Sequence, residues 1–464
     1  MKDIVNFLKT TGIYLIGNVL TKAISFFMLP IYTRYLNPSD YGTYDVNIAY
    51  ITFLSSVLFL DIWSGIMRFM FDYSDDSKKY VPIFSGIIIF CCSSIAYIIF
   101  TFILGTSMHI EYLFWVLLYG LMINFQSLFA YIVRGFGKNS LFAISGIVGT
   151  IVTVLFNVIF IVFKHGGYEY LYVSSIIGMV IACVILGFGI NFKKLSTSKN
   201  YNPQNIKELF VFSLPLMVNS VSWWFLTAFN RVAISKELSL ADNGLYAVAN
   251  KFSAIVQIVD QAFQMAWQEI SFMKSGNKKN NDDFFSVSIN EYIKFMVLGI
   301  SLLIPILKIV FPYIVDDSYA EAMNVIPLAL IATLMSSISS FLGSTLTSLK
   351  KNKYLFTTTI TGTAVNVIII VLTINIFKIQ AASLALTIGF LIVDIRRFML
   401  LKRYINVKFE MRKNGYTFLM LAFSVFSFLA FPTAVNAILF LILFFIFIYS
   451  YKNIINQLLR RNNK

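Results

Sequence analysis

Charged side chains are scarce in this sequence. They make up 13% of the residues, against 58% that are hydrophobic, over a chain of 464. That is too little polar surface to coat a water-soluble globule of this size, so most of the chain has lipid as its solvent. Cysteine and histidine are scarcer still. Cys91, Cys92 and Cys183 all lie inside apolar runs, which excludes a disulfide framework, and neither they nor the isolated His109 and His165 offer a metal-ligand spacing. Acidic residues number 22 against 37 basic ones, for a formal charge of +15. No nucleic acid partner is implied, because the basic residues are scattered through short segments between apolar runs. No such segment exceeds about 20 residues or carries a domain-sized pattern, so a soluble catalytic domain has no place in the chain. The protein is expected to be no enzyme and to hold no cofactor.

What the sequence does have is long apolar runs. Those sufficient to cross a bilayer, about 20 residues each, fall near 10–34, 41–68, 81–104, 112–134, 141–163, 170–192, 207–231, 243–270, 284–311, 319–348, 354–377, 381–402, 414–431 and 434–451. They predict an all-α polytopic membrane protein of about fourteen transmembrane helices, its N-terminal run retained as the first span. Lysine and arginine test that count, because cytoplasmic loops should hold them. With both termini cytoplasmic, the inner segments collect 28 of the 37 basic residues, and the outer loops collect six. Lys22, Lys251 and Lys294 fall within spans. The inner side includes a cluster from Arg396 to Lys413 and the patch Lys350, Lys351 and Lys353. One helix more or fewer would scramble the pattern.

The chain also repeats itself. Leu36, Asp40, Gly42, Tyr44 and Val46 recur 202 residues later as Leu238, Asp242, Gly244, Tyr246 and Val248. A fainter echo, Lys138-Asn139 and Gly149-Thr150, returns as Lys351-Asn352 and Gly362-Thr363. Six helices per copy is an even number, so both copies enter the membrane in the same orientation and the repeat is parallel. The expected organisation is an N-terminal six-helix lobe over 1–192, a polar cytoplasmic linker over 193–206, a second six-helix lobe over 207–403, and two additional helices with a cytoplasmic tail over 404–464. The shared Gly, Tyr and Asp read as turn and helix-start chemistry.

Ionisable groups within spans cost at least ~2.5 kcal/mol unless they face a cavity or a partner, which makes each a candidate for function. These are Lys22 in helix 1, Asp61 and Arg68 in helix 2, Lys251 and Asp260 in helix 8, and Glu291 and Lys294 in helix 9. Structural readings stand beside the functional ones. Arg68 and Asp72 form an i,i+4 pair suited to anchoring, and Glu291 and Lys294 an i,i+3 pair that neutralises itself. Arg34 and Arg231 sit where snorkelling is expected. Subtracting the repeat offset from Asp260 gives position 58, one turn from Asp61, as for a pair of cavity-facing acids. Trp63, Trp223, Trp224 and Trp267 suit sugar stacking, or core packing and interfacial anchoring.

The helix from Gly17-Asn18 to Pro30, the run Arg34 to Tyr44 and the segment Gly65-Ile-Met-Arg-Phe69 resemble the membrane proteins of polysaccharide and O-antigen biosynthesis that flip lipid-linked oligosaccharides, within the multidrug/oligosaccharidyl-lipid/polysaccharide exporter superfamily. Phe212-Ser-Leu-Pro215, Asn230-Arg231, Gly244-Leu-Tyr246 and Ala266-Trp267 follow in family order, so the resemblance spans about residues 1–405. Two departures stand out: Asn230 occupies a position that is often Asp, and no proline follows the Ala-Trp pair. The resemblance implies a flippase of undecaprenyl-pyrophosphate-linked oligosaccharide in the bacterial plasma membrane, with membrane lipids and other glycan-assembly membrane proteins as further partners. Lys22, Arg68, Lys251 and Lys294 would then contact the diphosphate and sugars, while Asp61 and Asp260 would couple transport to protons or sodium. The alternatives are a peptidoglycan-precursor flippase, a multidrug/cation antiporter, and a membrane-embedded glycan polymerase. Unpaired deep acids in helices 1 and 7 would favour the antiporter, and a large outer loop or polar catalytic cluster the polymerase; the sequence offers none of these.

Overall fold

A computed structural model of the protein describes residues 24, 26–195, 202–275, 281–351, 353–405, 407–408 and 410–462. The described helices are α1 (Leu29–Tyr35), α2 (Pro38–Leu58), α3 (Ile62–Met70), α4 (Tyr80–Ser107), α5 (Leu113–Gly135), α6 (Asn139–Asn157, continued by a π-helical turn Val158–Phe163), α7 (Glu169–Gly187), α8 (Phe192–Leu195), α9 (Pro203–Thr227), α10 (Phe229–Glu237), α11 (Leu240–Ser275), α12 (Asn281–Ile314), α13 (Ile326–Ser348, preceded by a 3-10 segment Asp317–Val325), α14 (Lys353–Phe377), α15 (Gln380–Ile405), α16 (Met411–Ala430) and α17 (Thr433–Asn462). Nine helices among the described residues are long and apolar enough on their own to cross a bilayer, and the bent pair α2 and α3 makes ten. The protein is a multi-pass, all-helical membrane protein. α11 and α15 are as long but carry more charge, including Lys251 and Asp260 in the one and Asp394 and Arg397 in the other. Most of the first expected span, 10–34, lies outside the described residues.

By packing, the chain falls into two compact units, Met1–Gly244 and Leu245–Lys464. α9 goes with the first because it packs on α2, α3 and α4. The packing boundary thus falls later than the expected linker over 193–206. Inside the first unit, buried polar side chains tie helices together where lipid offers no water. Asn47 donates to the Tyr172 hydroxyl at 3.1 Å, Asn124 to Ser55 Oγ at 2.8 Å, and Asn157 to the Tyr32 hydroxyl at 2.8 Å. In the second unit α15 packs against α13 and α14, while α16 and α17 both pack on α12.

The repeat acquires a physical meaning at each of its echoes. Each copy begins a helix with a capping box. Asn37 Oδ1 accepts from the Asp40 N–H at 2.8 Å while its Nδ2 donates back to the carboxylate at 3.0 Å. Ser239 Oγ accepts from the Asp242 N–H at 3.0 Å and donates to the carboxylate at 2.6 Å. The glycines serve close approach. A Cβ on Gly42 would run into the carbonyl of Leu240, and one on Gly244 into that of Pro38, so the two helix starts lie directly against each other. The second echo works the same way: a Cβ on Gly149 would lie 2.9 Å from Gly178 O, and one on Gly362 3.0 Å from Gly389 O, at the α6–α7 and α14–α15 crossings.

Candidate functional site

The longest expected feature of the first lobe, the span over 41–68, is broken. α2 ends at Leu58 and α3 leaves at 48° to it. The break consists of Leu60 at φ 58° and Asp61 at φ 52°, both left-handed. Neither is glycine, so each costs roughly 1–2 kcal/mol in backbone terms. A strained interruption of a spanning helix frees backbone groups and marks ion and substrate sites in transport proteins. Asp61 accepts a hydrogen bond from Ser64 Oγ at 2.9 Å and is only partly buried. It lines a cavity of about 200 Å³ with Ser55, Ser56, Asn124, Ser127, Ser220 and Trp63. Hydroxyls, an amide, a carboxylate and an indole face make a wall suited to sugar hydroxyls or a hydrated ion.

The other candidates are spread more widely. Lys22 lies outside the described residues. Arg68, 57% exposed, pairs with Asp72 at 2.5 Å just beyond the end of α3, as the anchoring reading expected. In the loop that follows, Asp76 pairs with Lys79 at 2.8 Å, and the ammonium's hydrogen bond and charge lower the carboxyl's pKa. Lys251 is half-buried on α11. Asp260 Oδ1 accepts from the Tyr292 hydroxyl at 2.5 Å and from Gln264 Nε2 at 3.2 Å. Lys294 does not pair with Glu291: its Nζ sits over the Tyr451 ring, 5.6 Å from the centroid. The structure therefore gathers Asp61 into a polar cavity, and it places Asp260 and Lys294 near a different feature of the second unit.

That feature is an apolar groove of about 670 Å³, walled by Phe263, Trp267, Tyr292, Phe295, Phe447 and Tyr451, with Glu291 as its charged member. Tyr292, which holds Asp260, and Tyr451, which carries Lys294, are both in its wall. Trp267 also packs inward, stacked on Phe341, with its indole N–H on Thr345 Oγ1 at 3.0 Å. Trp224 is a core residue: it is 8% exposed and donates to Ala49 O at 2.8 Å. Trp63 alone of the four borders the polar cavity.

Three residues play parts the sequence reading missed. Arg231, expected to snorkel, pairs through Nε with Asp45 at 2.8 Å, beside Asn243, which donates to Gly42 O at 2.8 Å. This tie closes the end of the first unit where the repeated segments meet. Asp394 and Arg397 are buried in the second unit, although Arg397 reads in sequence as part of a cytoplasmic basic cluster. Their signal was present, since both lie inside the expected span 381–402, but the surrounding Arg396, Lys402 and Arg403 masked it.

Comparison with known proteins agrees with this architecture. A family model described as "Polysaccharide biosynthesis protein" matches residues 7–267. A curated relative, "Lsg locus putative protein 1" of Haemophilus influenzae, is 23% identical over 272 residues, 56% of this chain and 64% of its own length. The aligned region thus spans less than two thirds of that relative. Among solved structures, the fold is similar to the lipid II flippase MurJ in an inward closed conformation, with TM-score 0.71 and 15% identity, over 95% of this chain and 99% of that one. It is also similar to an inward-facing multidrug resistance MATE family transporter of the MOP superfamily, with TM-score 0.66 and 15% identity, over 83% of this chain and 94% of that one. Both are named as transport proteins and neither as an enzyme. With its helical architecture and a family model covering more than half of its length, the chain belongs to the polysaccharide biosynthesis protein family.

Proposed function

We propose that the protein is a flippase carrying an undecaprenyl-pyrophosphate-linked oligosaccharide from the cytoplasmic to the outer face of the bacterial plasma membrane, by ion-coupled alternating access. The observation that carries this reading is the break at Asp61, which opens a polar cavity inside an otherwise apolar helical unit. A hydrophilic glycan needs such a lining along its path, because an unsatisfied polar group in hydrocarbon costs several kcal/mol. The apolar groove of the second unit suits the prenyl tail. A tail gains little by leaving lipid for an equally apolar wall, so the groove acts by shape, holding the tail while the headgroup crosses. Lys294 stands over a groove wall, where an ammonium meets a diphosphate; Lys22, Lys251 and Arg68 are the further cationic contacts.

Asp61 and Asp260 are the coupling residues of this reading. Positive charge concentrated on one side supports cytoplasmic termini, which puts the meeting of the two repeats on the outer side. The contact of Gly42 and Gly244 and the Asp45–Arg231 pair then form the outer closure that must separate for release.

The test is reconstitution of the full chain in vesicles with undecaprenyl-pyrophosphate oligosaccharide labelled on the sugar, read by a membrane-impermeant quencher. Movement should be fast with the native protein and fall about tenfold or more in Asp61→Ala. Movement of the peptidoglycan precursor instead, or of a cationic drug alone, would replace the substrate with one of the alternatives.

A further inference from the structure

Asp394 is 7% exposed on α15, and neither of its carboxyl oxygens takes part in a hydrogen bond of normal geometry. Among the described residues it is the one buried carboxyl group with both oxygens in that condition. Arg397, one turn further on, is 5% exposed, yet its donors go elsewhere. Nε reaches Thr358 Oγ1 at 3.1 Å and Nη2 reaches Thr359 Oγ1 at 3.1 Å, both on α14. Nη1 reaches Ser339 O at 2.6 Å and Ser339 Oγ at 3.1 Å, on α13. The guanidinium thus staples three helices together through neutral partners, with an opposite charge available three residues away and no ion pair formed.

An ionised carboxylate buried beside a guanidinium whose N–H groups are committed to other partners is a poor arrangement: its desolvation costs several kcal/mol, and only the Ser339 hydroxyl and the nearby charge of Arg397 act against that cost. A neutral carboxyl group removes the conflict. The groups around it leave few other choices. From α13 the neighbour is the Ser339 hydroxyl, and from α14 the hydroxyls of Thr358 and Thr359, with Arg396 turned outward to Thr361. From α12, Tyr292 directs its hydroxyl to Asp260 and Ser337 O. Arg397 is the one charged group acting on Asp394. A metal cation would meet that positive charge and find a single carboxylate, whereas a proton needs one oxygen only.

We propose that Asp394 is a protonation site of the second unit, neutral in the arrangement described, and that its proton decides which partners hold Arg397. When the proton passes from the carboxyl group to water, the carboxylate draws the guanidinium across the shared i,i+3 face of α15. Arg397 then leaves Ser339, Thr358 and Thr359, and the tie of α15 to α13 and α14 loosens. No other bond is made or broken. Proton occupancy is thereby converted into helix packing, as a transport cycle driven by protons requires, at a position distinct from Asp61 and Asp260.

The test needs no substrate, so it stands apart from the flipping assay. Infrared difference spectra of the full chain in lipid at neutral pH should show a protonated-carboxyl carbonyl band that is lost in Asp394→Asn and kept in Asp61→Asn and Asp260→Asn. Hydrogen-exchange protection of α13 and α14, after correction for the intrinsic pH dependence of amide exchange, should fall with rising pH in the native protein and stay constant in Asp394→Asn. Asp394→Asn should insert and melt like the native protein, because the carboxamide copies a neutral acid. A difference spectrum with only ionised-carboxylate bands overturns the proposal. So does strong destabilisation of Asp394→Asn with Asp394→Glu intact, which would mean that the negative charge is what the site holds.

Discussion

From its capping box α2 runs to Leu58 and breaks at Leu60 and Asp61, whereas α11 leaves an equivalent capping box and continues unbroken for 36 residues, past Asp260. The two copies share what a helix start and a close helix contact demand: an acid at the third position and a glycine where another backbone approaches. They differ one helix-length deeper. There the first copy accepts left-handed backbone at two non-glycine residues and opens a polar cavity. The second keeps its helix and ties its acid to Tyr292 beside an apolar groove. The two copies are thus matching frames at their helix starts, and the divergence between them falls at the depth of Asp61 and Asp260.

The largest effect expected is at the shared glycines. Gly244→Val puts a branched side chain against the Pro38 carbonyl, an overpacking cost of about 1–3 kcal/mol that disfavours this packed arrangement by roughly 5- to 150-fold, and flipping should fall about tenfold. Gly146→Ala, where an added Cβ meets nothing within 4 Å, should leave flipping unchanged. Equal effects of the two would erase the distinction between contact glycines and incidental ones. Next comes the break itself. Asp61→Asn keeps a residue type that tolerates left-handed backbone, so thermal stability should hold while flipping falls several-fold. Unchanged flipping in Asp61→Asn would make the bend, not the charge, the point of difference between the copies.

Smaller effects probe what the copies share. Asn37→Ala and Ser239→Ala each remove a cap and should cost about 1 kcal/mol of stability, equally in both frames, as read by denaturant melts. The Asp45–Arg231 pair, with side chains 19% and 29% exposed, should show a coupling of about 1 kcal/mol in a double-mutant cycle. The smallest is Asp76→Asn in the exposed loop after α3. Pairing with Lys79 lowers the folded-state pKa, so the pair's contribution is present above the usual carboxylate range, about 3.9, and is lost as pH falls through the lowered value. The substitution should leave melting near neutral pH almost unchanged and flatten only the acid limb.

Much of the architecture was legible because lipid imposes it. The all-helical class and the length and apolar character of the helices follow from bilayer thickness, and the capping boxes are local sequence patterns. The break at Asp61 was not legible, because Phe59-Leu60-Asp61 holds no glycine or proline and its strain is set by tertiary packing. The sequence marked Asp61 and Asp260 as matching acids but did not show that one faces hydroxyls and the other a tyrosine. Arg397 looked like loop charge because basic residues cluster around it; only its burial against Ser339, Thr358 and Thr359 separates it from them. The pairing of Arg231 with Asp45 joins residues far apart in the chain, and no local pattern encodes it.

The most direct measurement is extraction of polyprenyl lipids from a strain depleted of this protein, with the sugars of each lipid-linked species identified. A flippase of lipid-linked oligosaccharide predicts that one undecaprenyl-pyrophosphate glycan accumulates on the cytoplasmic face while the corresponding surface polymer disappears, and that Asp61→Ala fails to restore it. An unchanged lipid-linked pool with normal surface glycan would contradict it.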